Sequence, residues 1–533
     1  MFVMRLVVLA VLGAGCGSSS TAGPDAPPGD APSDQPTSCT GTPTECATVA
    51  EQRASDRFDA LVGQPEMLAA FLKTMPKGGD LHNHLNGAIY AETVLDWAKD
   101  DGNCINSSTF AAVTSCSGGT QPVPTAGTFY DQIVRAWSMK DFVPGAQTGR
   151  DHFFATFGKF GTVSGLHRDE SIADVLTRAA DENQLYVETM FNLGKNVGTL
   201  AGQLSTGALT AADLPALYDQ LIANAGFATA VTNDTNVVLD ASTGYRDVLF
   251  CDEMGSSPAC DVGVRFIAQV SRTGAADQVF GQLVSAYEMA SRTPMLVGAN
   301  LSSPEDDATS LANYNLHMAM LDFLHTKYAG TSPLRITLHA GEVTPEFLPP
   351  GSNHNTFHIR SAVELGHAER IGHGLDIMTE TNSAGLLATM RDRKVMVEVC
   401  LSSNIQILEI SGTAHPLATY LQAGVPVALA TDDQGVSRSS MAGEYLRAAL
   451  DQHLDYRQLK TISRTSLEHA FLPGESLWTS IGETQPVTAC AASATAAVGG
   501  LPSTTCRQFL DSNERARMQW ELEARFLSFE RAQ

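Results

Sequence analysis

Two histidines separated by one residue, His82 and His84, are the first residues whose spacing suggests chemistry. On a β-strand, residues at positions i and i+2 face the same side, so both imidazoles would point in one direction. A pair of neutral imidazoles is a common half-site for zinc. The pair alone is a weak signal, because surface or core histidines produce the same pattern.

Polar residues that could complete a metal site recur in three later motifs. His339 and Glu342 share the first, His373 lies between two glycines in the second, and Asp432 and Asp433 are adjacent in the third. Three imidazoles and one carboxylate form a mononuclear site with one position free for water, whose pKa on the metal falls to roughly 7. A structural histidine or a solvated turn explains any one motif, but not all of them at strand ends. The set predicts metal-assisted hydrolysis.

The elements that must position these motifs begin near Lys77, where short β-rich runs alternate with helical segments. This alternation is typical of a parallel sheet with helical crossovers. The predicted strands are Gly79–Leu85, Gln184–Met190, Gly263–Val270, Met295–Leu301, Leu334–Glu342, Arg370–Gly374, Val395–Asn404 and Val425–Asp433. Eight such strands predict an α/β protein with a (β/α)8 TIM barrel, whose catalytic groups lie at the carboxyl ends of the strands.

Eight of the cysteines fall in close pairs, which are Cys39 and Cys46, Cys104 and Cys116, Cys251 and Cys260, and Cys490 and Cys506. Short-loop disulfides formed in an oxidising compartment explain this spacing better than metal binding, since no C-x-x-C motif occurs. Cys400 is expected to be a buried free thiol inside an apolar strand. Insertions at about 100–150 and 240–262 are predicted to be disulfide-pinned loops beside the barrel. Helices are predicted around Gly443–Leu459 and Asp511–Phe529.

The chain divides into five predicted segments. Residues 1–16 resemble a bacterial lipoprotein signal ending in a lipidated Cys16, and residues 17–38 form a flexible Ser/Pro/Gly/Asp-rich tether. Residues 39–74 form an N-terminal helical segment, 75–480 the barrel, and 481–533 a surface loop with a C-terminal helix. An ordinary signal peptide or a transmembrane anchor is the alternative for the first segment, although its apolar run is shorter than the ~20 residues that a spanning helix needs. We expect an exported lipoprotein at the outer membrane, in the periplasm or at the cell surface, with membrane contact only through the lipid.

Composition narrows the class of partner. The chain has 533 residues, 43% hydrophobic and 17% charged, so it can bury a large core. Its formal net charge of -24, with no Lys/Arg-rich run, argues against binding to nucleic acid and favours a small-molecule substrate. The sequence leaves the oligomeric state open, with a homodimer as one alternative.

Taken together, the motifs resemble the adenosine deaminase family of the metal-dependent amidohydrolase superfamily. The matching segments follow the family order and are Met75–Ala88, His339–Glu342, Arg370–Gly374, Ser402–Asn404 and Thr431–Asp433. The secreted adenosine deaminase growth factor branch is most similar, because of the Met-Pro-Lys-Gly-Gly opening, the export signal and the cysteine-bearing insertion after the first strand.

The resemblance implies roles for the motif residues. One Zn²⁺ per subunit would be bound by His82, His84, His339 and Asp432. His373 would orient and deprotonate the water on the metal, Glu342 would donate a proton to N1 of a purine, and Asp433 would accept a hydrogen bond at N7. A carboxyl group that is protonated at neutral pH needs a pKa raised by burial.

The substrate side of the site departs from the family pattern. Asn86 stands where the family has Asp or Glu near the ribose, Asn300 replaces an Asp, and Ser303 replaces a Gly whose backbone N–H reaches N3. Phe154 and Phe157 resemble the apolar lid of the family's pocket, or else belong to an ordinary amphipathic helix that packs on the barrel.

The predicted reaction is zinc-dependent hydrolytic deamination of adenosine and 2′-deoxyadenosine to inosine and 2′-deoxyinosine, with release of ammonia. One alternative is a deaminase of another 6-aminopurine, such as adenine or an N6-substituted adenosine. A second, from another class, is a non-catalytic nucleoside-binding surface lipoprotein, which predicts the loss of a catalytic group.

Overall fold

Eight parallel strands lie side by side in the order in which they follow along the chain. A computed structural model describes residues 39–480, 484–493 and 496–533, and the predictions for residues 1–38 lie outside this range. The barrel strands are β1 Lys77–His84, β2 Gln184–Asn192, β3 Gly263–Ser271, β4 Leu296–Ser302, β5 Arg335–Ala340, β6 Arg370–His373, β7 Met396–Val399 and β8 Val427–Leu429. This architecture confirms the predicted (β/α)8 barrel.

The ring is completed where the chain after β8 meets β1. The backbone N–H of Asp432 donates to the carbonyl of His82 at 2.8 Å, and the N–H of His84 donates to the carbonyl of Asp432 at 3.1 Å. These bonds form a parallel bridge between Asn83 and Asp432. The seam between the first and last strands is therefore made by residues of the candidate site.

Helices surround the barrel and follow most of its strands. They are α1 Pro43–Leu61, α2 Pro65–Thr74, α3 Leu85–Ala88, α4 Ala91–Asp100, α5 Thr128–Ala136, α6 Gly149–Ser164, α7 Arg168–Asp181, α8 Lys195–Leu204, α9 Leu214–Ala223, α10 Phe227–Val248, α11 Ala276–Ala290, α12 Ala308–Lys327, α13 His358–Glu364, α14 Ser383–Arg393, α15 Leu401–Leu408, α16 Leu417–Ala423, α17 Gln434–Ser437, α18 Met441–Leu450, α19 Tyr456–His469, α20 Thr504–Ser512 and α21 Glu514–Arg531. No helix within the described part of the chain is long and apolar enough to cross a membrane.

Short strands and 3-10 turns lie outside the barrel. Strands Cys104–Asn106, Ala112–Val113 and Thr120–Pro122 form a small antiparallel sheet, and Trp478–Ser480 pairs with Gln485–Pro486. Single 3-10 turns occupy Ala211–Asp213, Pro258–Asp261, His354–Thr356, Gly412–Ala414 and Thr488–Cys490.

The two ends of the described chain pack against each other. Helix α1 begins at a capping box in which the Thr42 hydroxyl accepts the N–H of Glu45, and Pro43 occupies the first turn. Its Phe58 ring lies 6.1 Å from that of Phe71 in α2, which lies 5.1 Å from the ring of Phe529 in α21. This aromatic contact joins the N-terminal helices to the C-terminal helix.

Several predicted boundaries were wrong. The predicted strands Val395–Asn404 and Val425–Asp433 end at Val399 and Leu429, because their polar second halves leave the barrel wall and form its mouth. Residues 443–459 comprise parts of two helices, since an Asp455–Gln458 capping box starts α19 afresh. Residues 511–529 likewise span α20 and α21, which meet at the extended Asn513.

All four predicted disulfides are present, and Cys400 is a buried free thiol, as predicted. Cys400 does not lie inside a strand, because the chain has already turned there to begin α15. The insertion at 240–262 is not wholly a loop either. It begins in the last turns of α10, and only the segment after Leu249 is irregular.

Candidate active site

Four side chains converge at the barrel mouth with the geometry of a metal site. They are His82 and His84 at the end of β1, His339 in β5, and Asp432 after β8, and all four are buried. The Nε2 atom of His339 lies 3.1 Å from that of His82 and 3.2 Å from that of His84. The Oδ1 atom of Asp432 lies 3.5 and 3.3 Å from the same two nitrogens. Tetrahedral zinc separates its ligand atoms by about 3.3 Å, so the four residues fit the ion.

Each of the three imidazoles has an oxygen acceptor on its other nitrogen. Nδ1 of His82 lies 2.7 Å from Glu398, Nδ1 of His84 lies 3.0 Å from Gln269, and Nδ1 of His339 lies 2.8 Å from Asn300. An N–H on each Nδ1 leaves the Nε2 lone pair free to face the centre. The sequence did not reveal Glu398 or Gln269, and it marked Asn300 only as a departure from the family pattern. The only sequence feature that marks these three residues is that each is a polar residue inside an otherwise apolar strand.

The charges around the four side chains favour a cation. Burial, followed by the charges of the neighbouring histidines, lowers the pKa of His339 well below its usual value. Burial alone would lower the pKa of His82, but hydrogen bonds to Asp432 and Glu398 outweigh it and raise this pKa to about 10. The two carboxylates thus attract positive charge to a point surrounded by imidazole nitrogens. A divalent cation would supply that charge.

A chain of hydrogen bonds sets the tautomer of His373. The backbone N–H of Leu417 donates to Nδ1 of His415 at 3.1 Å, so the proton of a neutral His415 lies on Nε2, 3.1 Å from Oδ1 of Asn404. Asn404 therefore turns its NH2 group to Nδ1 of His373, 2.9 Å away. Burial lowers the pKa of His415 to about 4 and that of His373 to about 3, which keeps both neutral. His373 consequently presents an Nε2–H group to the centre.

Two carboxyl groups beside the centre favour their protonated forms. Burial, followed by the charges of Asp432 and Glu305, raises the pKa of Glu342 well above its ordinary value. Burial and the charge of Asp432 do the same for Asp433. Nε2 of His373 lies 3.6 Å from the Glu342 carboxyl. Neither Nε2 of His373 nor Oδ1 of Asp433 has a hydrogen-bond partner within the described residues, so both can meet a ligand.

Glu342 is held from behind by a carboxylate that sequence reasoning missed. Glu305 is fully buried and accepts the backbone N–H groups of Gly341 at 3.1 Å and Glu342 at 2.8 Å. It also lies 2.6 Å from Nδ1 of His358. Burial would raise the pKa of Glu305, but His358 and Arg272 outweigh it and lower the pKa to about 2. A permanent negative charge therefore fixes the turn after β5.

A cavity of about 430 Å³ opens in front of these groups, which is within the usual range for small-molecule sites. The predicted substrate-contacting residues that line it are Asn86, Phe154, Phe157, Ser303 and Asp433. Phe153, which belongs to the same aromatic run as the two predicted lid residues, lines it too. Further lining residues, which the sequence did not identify, are Asn192, Gln269, Ser271, Ser302, Pro304 and Ile407. Phe154 and Phe157 lie on α6, and their place in the cavity wall fits the predicted lid.

The backbone at the site adopts several strained or closely packed conformations. His373, Asp432 and Ser303 have φ values of 66°, 57° and 80°, a region that non-glycine residues rarely adopt. At Gly87, a Cβ atom would lie 1.7 Å from the Asp433 carboxylate, so only glycine allows this approach. The chain is thus forced into these conformations by the surrounding barrel.

A (β/α)8 barrel with three imidazoles, a carboxylate and two carboxyl groups of raised pKa at its mouth is typical of metal-dependent hydrolases. Residues 250–479 match the family model of adenosine deaminase. The adenosine deaminase of Yersinia pseudotuberculosis is 37% identical over 150 residues, which is 28% of this chain and 41% of that protein. An Escherichia coli adenosine deaminase is 34% identical over 153 residues, again 28% of this chain and 42% of the relative.

Residues 250–479 accordingly belong to the adenosine deaminase family of the amidohydrolase superfamily. The chain spans about two fifths of the length of the curated relatives that it matches. A solved structure of ADAL from arabidopsis in complex with IMP is similar in fold, with a TM-score of 0.50 and 20% identity over 75% of this chain and 93% of that one. The placement in the growth factor branch stays a prediction.

Proposed function

We propose that this protein hydrolyses adenosine and 2′-deoxyadenosine to the corresponding inosines and ammonia, with zinc bound by His82, His84, His339 and Asp432. The observation that carries the proposal is the pairing, in one cavity, of four residues that can hold a metal ion with a buried Glu342 whose pKa is raised well above its ordinary value. Hydrolysis of an aminopurine needs a nucleophile at C6 and an acid at N1, and the cavity offers both kinds of group.

The water is the first requirement. A divalent cation supplies the Lewis acidity that makes water nucleophilic near neutral pH. His373 presents its Nε2–H group to the same point, so it can donate a hydrogen bond to the water oxygen and direct a lone pair at C6. Of the two roles expected for His373, orienting and deprotonating the water, the tautomer favours the orienting role.

The purine ring is activated by the carboxyl group of Glu342. As the water oxygen attacks C6, the π-electron pair of the C6=N1 double bond moves to N1, which takes the proton of Glu342. The two protons of the attacking water are passed on, one to the Glu342 carboxylate and one to the amino group, which leaves C6 as ammonia, and the 6-oxopurine remains. A carboxyl group with an ordinary pKa would be ionised at pH 7 and could not donate, so the raised pKa of Glu342 is essential to this step.

Asp433 fits N7 only as a donor. N7 of adenosine carries a lone pair and no hydrogen, so an ionised Asp433 would repel it, and the expectation that Asp433 accepts a bond there cannot hold in that form. The raised pKa of Asp433 provides the proton, and its Oδ1 atom has no other partner in the described structure. We assign Asp433 to donate a hydrogen bond to N7.

The cavity wall favours a nucleoside over a nucleotide. Amide and hydroxyl groups of Asn86, Asn192, Gln269 and Ser271 line it, and among the described lining residues there is no lysine or arginine to bind a phosphate. Asn86 is neutral where the family has an acid, so a different sugar or a substituted amine, as in N6-substituted adenosine or free adenine, is the second candidate.

The test is the loss of adenosine absorbance with zinc-loaded full-length protein, with and without a chelator. Glu342→Gln should lower kcat by at least about 100-fold, because it keeps the shape of the side chain but removes the transferable proton. Glu346→Gln, an exposed carboxyl four residues away, is the matched control and should turn over normally. Rapid turnover that is insensitive to Glu342→Gln would overturn the mechanism. No turnover of adenosine by folded, zinc-loaded protein would reject the substrate, and N6-methyladenosine and adenine would be assayed next.

We also propose that the protein works in an oxidising compartment, as an exported lipoprotein. The support is the set of four short-loop disulfides, which reducing compartments disfavour, together with the signal-like sequence that ends at Cys16. Cell fractionation with radiolabelled palmitate tests this. A Cys16→Ser variant should lose the label, and labelling that persists in the variant would reject the anchor.

A further inference from the structure

A second cavity, of about 370 Å³, lies at the end of the barrel opposite the candidate active site. It is bordered by Arg335 and Arg370, the first residues of β5 and β6, whereas His339 and His373 lie at the carboxyl ends of the same strands. Lys394 joins it from the end of α14, and Arg515 from the first turn of α21. Cationic side chains from four secondary-structure elements thus line one cavity.

The positive charge of this cavity is only partly neutralised. Arg335 is paired with Glu369, whose two carboxylate oxygens lie 2.9 and 3.0 Å from its Nε atom. Arg370 is paired below the cavity floor with Glu188 and Glu398, each at 2.6 Å. Those two arginines therefore have their own counterions.

Three further cations that line the cavity have none. Arg393, Lys394 and Arg515 make no ion pair within 4.0 Å in the described part of the chain. Arg515 donates a hydrogen bond from one NH2 group to the carbonyl of Leu472 at 3.0 Å, and its buried Nε–H group has no acceptor within the described residues. Glu468, the other acid of the wall, accepts hydrogen bonds on Oε2 from Ser476 at 2.5 Å and Gln519 at 2.8 Å, and its charge acts on Arg515 without forming an ion pair with it. An unpaired cationic cluster is unusual in a protein with 58 acidic and 34 basic residues.

A neighbouring imidazole shows the same excess of charge. His469, the last residue of α19, lines the cavity and makes no side-chain hydrogen bond within the described residues. Burial, followed by the charges of Arg370, Arg335, Arg515 and Lys394, lowers its pKa to about 3. His469 is therefore neutral and can donate or accept a hydrogen bond without adding charge.

We propose that this cavity is a binding site for a phosphate group, held by Arg393, Lys394 and Arg515. Guanidinium and ammonium groups that line one cavity from the end of α14 and the first turn of α21 match a compact tetrahedral oxyanion, whereas a nucleic acid would need an extended basic stripe. The volume accommodates a small molecule, so the phosphate is either inorganic or the end of a small ester. This site is independent of the proposed deaminase activity, because it lies at the other end of the barrel.

Isothermal titration calorimetry of the full-length protein tests the proposal with two probes, inorganic phosphate and ribose 5-phosphate, at constant ionic strength. We expect saturable binding of at least one probe with a Kd of about 1 mM or tighter. Tighter binding of ribose 5-phosphate identifies an ester as the ligand, and equal or tighter binding of inorganic phosphate identifies the free ion.

Variants decide whether the bound phosphate lies in this cavity. Lys394→Gln and Arg515→Gln should each weaken binding at least fivefold, whereas Arg517→Gln, an exposed arginine of the same helix outside the cavity, should leave it unchanged. Lys394 is exposed and makes no hydrogen bond through its side chain, so its replacement leaves the fold intact even if Arg515→Gln does not fold. Absence of saturable binding, or equal affinity in Lys394→Gln and the control, would overturn the proposal.

Discussion

Glu305 accepts a hydrogen bond from the backbone N–H of Glu342 at 2.8 Å, and so fixes the turn that carries the proposed proton donor. The two carboxyl groups have opposite character although both are buried. Glu305 has its pKa lowered to about 2 because His358 and Arg272 outweigh its burial, while Glu342 has its pKa raised by burial and by the nearby charges of Asp432 and Glu305. One acid is thereby a permanent acceptor and helps to keep the other protonated.

Glu305→Gln tests this positioning role. The amide keeps the size of the side chain but lacks the charge and turns an NH2 group toward the His358 ring or the backbone amides. Displacement of a reacting group by about 1 Å can cost roughly 100-fold in rate, so we expect kcat to fall about 100-fold with little change in KM. Because the Glu305 charge also raises the pKa of Glu342, the alkaline limb of the kcat profile should move to lower pH.

The control for Glu305→Gln is Glu380→Gln. Glu380 is also buried and accepts a backbone N–H, that of Arg360 at 3.0 Å, but it makes no hydrogen bond to the turn that holds Glu342. Equal losses of kcat in the two variants, or an unshifted pH profile in Glu305→Gln, would indicate a general structural effect and contradict the positioning role.

The acceptors behind the histidines should control metal affinity. Asn300→Ala removes the oxygen that lies 2.8 Å from Nδ1 of His339 and so frees the ring to rotate. Loss of such an acceptor typically costs 10- to 100-fold in affinity, and we expect a decrease of about that size, against near-complete loss in His339→Ala. Zinc content after dialysis against graded chelator measures it, with His325→Ala, an exposed histidine, as the control. Wild-type affinity in His339→Ala would refute the assigned ligand set.

Much of this centre could be predicted from the sequence because its ligands follow one another in short motifs at strand ends. His82, His84 and Asp432 need only the strand period and the barrel rule to be placed at one mouth. Gln269 and Glu398 could not be predicted as their partners, since a single polar residue in an apolar strand reveals that it needs a partner but not which one. The predicted ends of β7 and β8 failed for a related reason, because the polar residues past Val399 and Leu429 lie at the barrel mouth, and the sequence alone does not show where the backbone turns out of the wall.

The tautomer of His373 depends on Asn404, and Asn404→Asp should invert it. A carboxylate in place of the NH2 group accepts instead of donating, so the imidazole proton moves to Nδ1 and Nε2 loses its hydrogen. We expect kcat to fall at least about 100-fold, since His373 then cannot donate to the water. The ¹⁵N chemical shifts of the ring, measured by NMR, report the tautomer directly. An unchanged protonated Nε2 in the variant would show that Asn404 does not set it.

The buried Glu444 predicts a specific pH dependence of stability. It lies in α18, fully buried, and accepts the N–H of Ser402 at 3.1 Å, and burial raises its pKa from 4.5 to about 7. Between pH 4.5 and 7 the folded protein therefore holds a proton that the unfolded chain has released. This group makes the free energy of unfolding fall as the pH rises through that window, and the loss is complete above pH 7.

Glu444→Gln removes this dependence while keeping an oxygen for Ser402. The stability of the variant relative to the wild type should therefore be higher at pH 8 than at pH 4 by on the order of 3 kcal/mol, because the pKa of Glu444 rises from 4.5 to about 7 and each pKa unit corresponds to about 1.4 kcal/mol. Urea unfolding of the full-length protein at the two pH values measures the difference, with the exposed Glu253→Gln as the control, for which no such change is expected. Parallel pH profiles for the wild type and Glu444→Gln would mean that Glu444 ionises normally in the folded protein, by opening to water or by moving toward Arg447.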